Sequence, residues 1–269
     1  MLKLKDRTVV ITGGATGIGL GLAKACAEKG ARILIGEPRP AHLNEAVSLL
    51  RETGVPAHGE VVDVSSVEQL TALADVAFNT LGDVALVINN AGIGQRSGSV
   101  LDTPLEELQR VMSINFQGVW QGCQVFGRRL IKQGCEAAIY NTGSENSFFV
   151  AVHKAAAYVA SKHAVLGLTD ALREEMPEHI TVGMIAPGFV ATELIPEAMR
   201  HLGMPIDEFA AITLPQILKG ERYVVSHGYN QVRIDERYQL MRDAYTRSAP
   251  RQDGDERYDV TQLRERYSK

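Results

Sequence analysis

The chain has 269 residues, 45% of them hydrophobic and 22% charged, with a formal net charge of −4. That length and apolar share suit one large α/β domain with a buried core and exclude wholesale disorder. No apolar run reaches the ~18 residues a spanning helix needs, and the mildly acidic balance weighs against nucleic acid as a main partner.

The pattern alternates from the start. Thr8–Thr12 is a β-branched run, long enough for a buried strand. Glycines follow, then a helix over Ile18–Lys29 with apolar Ile18, Leu22 and Ala25 and a stop at Gly30. Arg32–Ile35 reads as a second strand, Ala41–Thr53 as a helix, and Val61-Val62 as a third strand. Val67–Thr80 reads as a helix and Ala85–Asn89 as a fourth strand. Pro104–Gln133 reads as one long helix, with Pro104 in its first turn and Asp102 or Thr103 as cap. Ala137–Asn141, Ala156–Met176 and Ile180–Ile185 complete a strand, helix and strand.

Short strands alternating with longer helices predict βαβ units. These wind right-handedly into a parallel sheet covered on both faces, the doubly wound Rossmann-like arrangement, with ligands at the carboxyl ends of its strands. One domain is expected over 1–269. Within it, 193–219 carries Pro196, Gly203, Pro205 and Pro215 among short helical pieces and is a candidate substrate lid. Tyr223-Val224-Val225 is a plausible last strand. Residues 231–269 form a charged extension, with 9 basic and 8 acidic residues in 39, read as a solvated helix and tail or as a subunit-contact arm.

Cys26, Cys123 and Cys135 are odd in number and not spaced as metal ligands, and the first residues show no apolar leader. A reducing cytoplasm is therefore expected. The seven histidines, among them His201 and His227, form no metal-ligand spacing, so no metal is expected, and those two read as solvent-facing or pocket polar groups.

Thr12-Gly13-Gly14-Ala15-Thr16-Gly17-Ile18-Gly19 joins the first strand to the first helix. Glycines permit a tight turn and let backbone N–H groups approach a pyrophosphate, and the helix N-terminus adds partial positive charge. The spacing T-G-x-x-x-G-x-G resembles the nucleotide loop of the short-chain dehydrogenases/reductases, and the resemblance runs over about residues 5–192. Asn89-Asn90-Ala91-Gly92 is similar to that family's NNAG element, Tyr158-Val159-Ala160-Ser161-Lys162 to its Y-x-x-x-K element, and Pro187-Gly188 with Thr192 to its P-G-x-x-x-T element.

Glu37 lies 18 residues beyond Gly19, directly after the second strand. A carboxylate there accepts hydrogen bonds from ribose hydroxyls and repels a 2′-phosphate. The resemblance places basic residues of NADP users near Thr16 or just past the second strand; Arg39 is the one competing signal. NAD is expected over NADP. The resemblance also implies cofactor contacts at Gly13, Thr16, Gly17, Ile18, Gly19, Asp63, Val64, Asn90, Ala91, Gly92, Pro187, Gly188, Val190 and Thr192, with Asn89 toward the adenosine ribose.

Tyr158 and Lys162 are four apart on a helix and share a face. A free tyrosine titrates near 10; a neighbouring ammonium, with the positive nicotinamide of the oxidised cofactor, favours the phenolate and brings it toward the range of a general base. The resemblance implies that Lys162 also holds the nicotinamide ribose, that Ser144 steadies the substrate oxygen, and that Asn115 holds a water linking Lys162 to solvent. Ser144 precedes Tyr158 by 14 positions, where 13 is the commoner gap, and Ser147 is the alternative. The expected chemistry is hydride transfer between a secondary alcohol or ketone and the cofactor.

Phe148, Phe149, Val150, Val152 and Phe189, with the Gly94–Ser99 loop, predict an apolar and partly aromatic pocket, to which His153 adds a polar donor. Asn141–Phe149 and His227–Tyr245 resemble bacterial Cα-dehydrogenases of lignin-derived aryl ether alcohols, which implies a bulky or aromatic alcohol. Ser226-His227-Gly228 stands where the commoner members carry Asp-Gly-Gly. Relatives imply a homodimer or homotetramer. A 3-oxoacyl thioester reductase and a cofactor-sensing protein without turnover remain alternatives.

Overall fold

The computed structural model describes residues 1–96 and 98–262. Ser97 of the expected pocket loop and 263–269 of the expected extension lie outside the described residues. The chain divides into two compact units, one of Met1–Gly228 and a second beginning at Tyr229.

The first unit alternates strand and helix. It runs β1 (Thr8–Thr12), α1 (Gly17–Glu28), β2 (Arg32–Glu37), α2 (Pro40–Glu52), β3 (Ala57–Val61), α3 (Val67–Asp75) and β4 (Val84–Asn89). It continues through α4 (Leu105–Met112), α5 (Gly118–Gln133), β5 (Ala137–Thr142), α6 (Ala156–Glu175), β6 (Ile180–Ala186), α7 (Ile206–Lys219) and β7 (Tyr223–Val225). The strands form one sheet in the order β3-β2-β1-β4-β5-β6-β7, every pair parallel. Side chains two apart on a strand share a face. Val9, Ile11, Ile33 and Ile35 accordingly enter one core with Leu22, Leu43 and Phe209, while Val10 and Leu34 enter the other with Leu70, Phe126 and Val165. Chain direction across the sheet reverses between β1 and β4, which opens a crevice at their carboxyl ends.

Several boundaries differ from the sequence reading. β2 extends to Glu37, so that carboxylate ends the strand instead of following it, and β3 starts earlier, at Ala57. The long helix is continuous from Leu105 to Gln133 but widens into a π turn over Ser113–Gln117. Pro104 precedes it in an extended conformation (φ −61°, ψ 149°), outside the first turn. Neither Asp102 nor Thr103 caps it, because both side chains close the turn at Ser99, one on its hydroxyl and one on its carbonyl.

The expectation of short helical pieces over 193–219 is corrected from Ile206 onward. Ile206–Lys219 is one helix that keeps Pro215 inside it. It buries Phe209, Ala210, Thr213, Leu214 and Ile217 in the core beside α1. Gly21 admits it: a Cβ there would lie 2.4 Å from the Ile206 methyl. Only the short 3₁₀ stretch Glu197–Leu202 and its flanks lack buried side chains of that kind. In the second unit, α8 (Asn230–Ser248) buries none of its residues. Among the described residues no helix is long and apolar enough to cross a membrane.

Candidate active site

The glycine loop is folded by contacts that exclude side chains. Gly13 has φ +61°, and a Cβ on it would lie 2.8 Å from the Ala91 backbone; one on Gly19 would lie 2.3 Å from the Gly13 carbonyl. Gly17, at φ +53°, opens α1. Thr16 precedes it without a side-chain cap, so the first amides of α1 keep no such partner. Ile18 is half-buried against the core. The loop is braced from β4: the Asn90 amide donates to the Thr12 and Gly13 carbonyls, and the Asn90 and Ala91 backbones donate to the Thr12 hydroxyl. Asn90 therefore holds the loop through its side chain.

Other expected cofactor residues occupy different places. Asn89 points into the core, donating to Asn141 at 2.9 Å over Gly122, and does not approach the crevice. Val64 and Val190 are buried core residues that offer only main chain. Asp63 is exposed and accepts from the Ser65 backbone and hydroxyl. Pro187 is buried and its carbonyl accepts from the Glu145 amide at 2.8 Å. The Thr192 methyl lies 3.3 Å from where a Gly17 Cβ would stand, so the P-G-x-x-x-T element reaches back over the glycine loop. Gly188 makes room for His227, whose ring would be 2.5 Å from an added Cβ and whose Nε2 lies 3.3 Å from the Phe189 carbonyl. His227 is thus a half-buried packing group of this turn.

Glu37 is 2% exposed at the sheet edge of the crevice. Its Oε1 accepts from Arg39 Nε at 2.6 Å, and Arg39 also donates to Thr16 Oγ1 at 3.1 Å and to Glu193 at 3.0 Å. The loop glycines and this carboxylate fit an adenosine diphosphate moiety: backbone amides at a helix start for the pyrophosphate, a buried acceptor for ribose.

The other half of the crevice carries the titratable groups. Ser144 is 6% exposed, and its hydroxyl lies close enough to the Tyr158 phenol to favour the ionised form. It also accepts from the Asn146 backbone and side-chain amides at 3.1 and 3.3 Å. Ser147 faces elsewhere: it donates to the Lys162 carbonyl at 2.7 Å and accepts from the Ser144 amide. Lys162 is 4% exposed; its Nζ donates to the Thr142 carbonyl at 2.8 Å and lies 5.7 Å from the Tyr158 ring centroid.

Burial pushes the Tyr158 phenol above its ordinary range, the nearby Ser144 hydroxyl opposes that, and the Glu145 carboxylate adds to it. Burial pushes the Lys162 ammonium down to about 8. Among these effects on the phenol, burial outweighs any lowering by the ammonium. The amine sits against the ring face and on a carbonyl, and desolvation weakens its own charge.

Asn115 occupies the π turn, fully buried. Its Oδ1 accepts from the Ile93 amide at 2.8 Å, and its Nδ2 donates to the Ile93 carbonyl and the Ser161 hydroxyl. A Cβ on Gly92 would stand 3.4 Å from Asn115 Oδ1 and 3.6 Å from Lys162 Nζ, so Asn115, Gly92 and Lys162 meet at one point. Single-turn widenings of this kind are frequent at functional sites.

The rim is apolar. Val150, Val152, Phe189 and Leu194 are exposed. Phe149 is half-buried and His153 exposed. Phe148 packs edge-on against Tyr223, ring centroids 6.1 Å apart, so its ring is engaged with β7.

Two residues of this neighbourhood escaped the sequence reading. Gln95 Oε1 accepts from the Ala157 amide at 2.7 Å and so caps α6, which has no cap of its own at Ala155. Asn146 joins Ser144 to the rim by accepting the Ala151 and Val152 amides. Both act across chain distance or through loop geometry; only the unassigned polar residues around Ser144 hinted at the second.

Comparison with known proteins agrees with this geometry. The family model "short chain dehydrogenase" matches residues 7–202. The chain is similar to the probable oxidoreductase EphD of Mycobacterium tuberculosis, 36% identical over 73% of this chain, but it spans only 33% of that protein. It is 33% identical to the 1-deoxy-11-beta-hydroxypentalenate dehydrogenase of Streptomyces exfoliatus, over 72% of this chain and 71% of the relative. The crystal structure of a short chain dehydrogenase/reductase from Burkholderia phymatum in complex with NAD superposes with a TM-score of 0.84 at 25% identity. It covers 94% of this chain and 100% of that one.

Proposed function

Because the chain belongs to the short-chain dehydrogenase/reductase family, we propose that it is an NAD-dependent oxidoreductase of a bulky or aromatic secondary alcohol or its ketone. The observation that carries this is the set Ser144, Tyr158 and Lys162, a buried hydroxyl near a phenol whose ring has the Lys162 ammonium 5.7 Å from its centroid, with Val150, Val152 and Phe189 exposed nearby in sequence to Ser144 or to Pro187-Gly188.

Asn90, Thr12 and the loop glycines hold the first amides of α1 toward the crevice, and Glu37 would accept the adenosine ribose hydroxyls. A nicotinamide bound there supplies the two-electron acceptor or donor. Ser144 donates to the substrate oxygen and fixes its distance from Tyr158. Tyr158 takes the alcohol proton in oxidation and returns it in reduction. Lys162 steadies the deprotonated phenol across the ring face and would hold the nicotinamide ribose. Asn115 fixes the Gly92–Ile93 backbone beside Lys162, where a water can carry the proton outward. Because burial raises the phenol, oxidation is expected to speed up with pH above neutrality and reduction to slow.

Glu37 supports NAD over NADP, and the pairing of Arg39 with it is the feature that would let a 2′-phosphate be tolerated. Residues 193–205 act as the substrate lid. Cytoplasmic residence and a homodimer or homotetramer complete the reading, the latter checked by light scattering.

The test is a panel of aryl carbinols, steroids, sugars and aliphatic secondary alcohols with NAD, following NADH absorbance, together with Kd values for NADH and NADPH. Turnover confined to 3-oxoacyl thioesters with NADPH would replace this reading with the thioester reductase. Tight NADH binding with no turnover of any carbonyl or alcohol would favour a sensor.

A further inference from the structure

One guanidinium joins three segments that are distant in sequence. Arg39 Nε is 2.6 Å from Glu37 at the end of β2, Nη2 is 3.1 Å from the Thr16 hydroxyl in the glycine loop, and Nη1 is 3.0 Å from Glu193. Glu193 follows Thr192, whose methyl rests over Gly17. It precedes Leu194, whose Cδ2 is 3.9 Å from the position of a Gly94 Cβ. The segment after Thr192 is therefore fastened to the nucleotide side at Glu193, one residue before it reaches across to the loop on the substrate side.

An isolated exposed ion pair contributes little. This one differs because Arg39 is already ordered. Glu37, whose side chain is 3% exposed, and Thr16 fix two edges of the planar fork, so pairing with Glu193 restrains only one further side chain. Arg39, with contributions from His42 and Arg200, holds the Glu193 carboxyl below the usual range.

We propose that Arg39 is a positioning residue whose grip on Glu193 sets the placement of residues 194–205, and so couples the adenosine side of the crevice to substrate affinity. The coupling to cofactor rests on the reading of Glu37 as a ribose acceptor. A ligand that draws on Glu37 or Thr16 competes for the same guanidinium and changes its hold on Glu193, and by linkage the reverse holds.

The experiment uses the full chain and trypsin cleavage after Arg200 as readout. Without cofactor, Glu193→Gln is expected to speed that cut about threefold, since an exposed pair in a network accounts for a factor of this order. Arg39→Gln should do the same, and the double variant should add nothing. An unchanged rate in Glu193→Gln, or additive rates in the double variant, overturns the tie. NADH should alter the cut rate in the parent chain but not in Glu193→Gln; an equal response in both overturns the coupling. Under saturating NAD, Glu193→Gln should raise the alcohol KM about threefold with a smaller change in kcat. If NADH fails to bind at all, the cofactor reading falls while the cofactor-free comparison still decides the tie.

Discussion

The floor of the crevice and its rim are built on different principles. On the floor, Ser144, Lys162 and Asn115 are almost wholly buried and hydrogen-bonded, Ser144 within its own loop and Lys162 and Asn115 across chain distance. At the rim, Val150, Val152 and Leu194 present apolar surface to solvent and are held only through their backbone or a neighbour. Buried polar networks fix geometry because an unmade bond there costs more than a made one gains. An exposed apolar rim fixes little and adapts to what it covers. The floor should thus govern rate and stability, and the rim affinity alone.

The largest test of that division is Tyr158→Phe. It should lower kcat by roughly 10²–10⁴-fold, the contribution of a positioned acid–base group, while NADH fluorescence titration gives a Kd near that of the parent. Turnover near the parent level would remove the chemistry from the floor. Next is Gly19→Ala. Its methyl would stand 2.3 Å from the Gly13 carbonyl and 2.7 Å from the Asn90 amide. The overpacking strain of about 1–3 kcal/mol should appear as weaker NADH binding or a lower unfolding midpoint; a variant matching the parent in both would show the loop to be looser than its contacts.

Lys162→Met probes the floor through pH. In the folded chain the Lys162 amine titrates at about 8, below its ordinary 10.5. Between those values the unfolded chain carries a proton that the folded one has lost, so this residue's contribution to stability increases as pH rises through the window. The full increment is of the order of 3 kcal/mol. Urea unfolding of parent and variant at both ends of the window should show the parent gaining on the variant; a constant difference would mean the amine is not desolvated. The smallest effect is expected at the rim. Val152→Ala should raise the alcohol KM only about two- to threefold, the worth of one partly covered aliphatic group, with kcat held. A tenfold fall in kcat would show the rim to be part of the floor.

The same division explains what could be read from the chain alone. The strands and helices that alternate into a parallel sheet follow from β-branched runs and turn residues, which are local. The glycine loop and the Tyr158/Lys162 pair were legible because backbone approach and helical spacing demand particular residues at fixed offsets. The π turn was not, since Ser113–Gln117 has an ordinary helical composition, and neither were the engagements of Arg39 with Glu193 or of Gln95 with α6, which join residues 154 and 62 apart. The direction of the Tyr158 shift is not legible for a related reason: sequence places an ammonium one turn away but does not report how deeply the phenol is buried. Helix α7 reads from sequence as short helical pieces because Pro205 and Pro215 look like breakers, whereas the burial of Phe209, Leu214 and Ile217 holds it as one helix.

The bond from Gln95 to the start of α6 has a practical side. The residue that fastens the helix carrying Tyr158 and Lys162 sits on a surface connection of the sort protein engineers exchange when they want a new substrate range. Transplanting that stretch from a cousin enzyme would untie the helix unless a glutamine, or another acceptor of equal reach, travelled with it. Libraries that randomise the entrance should leave position 95 alone.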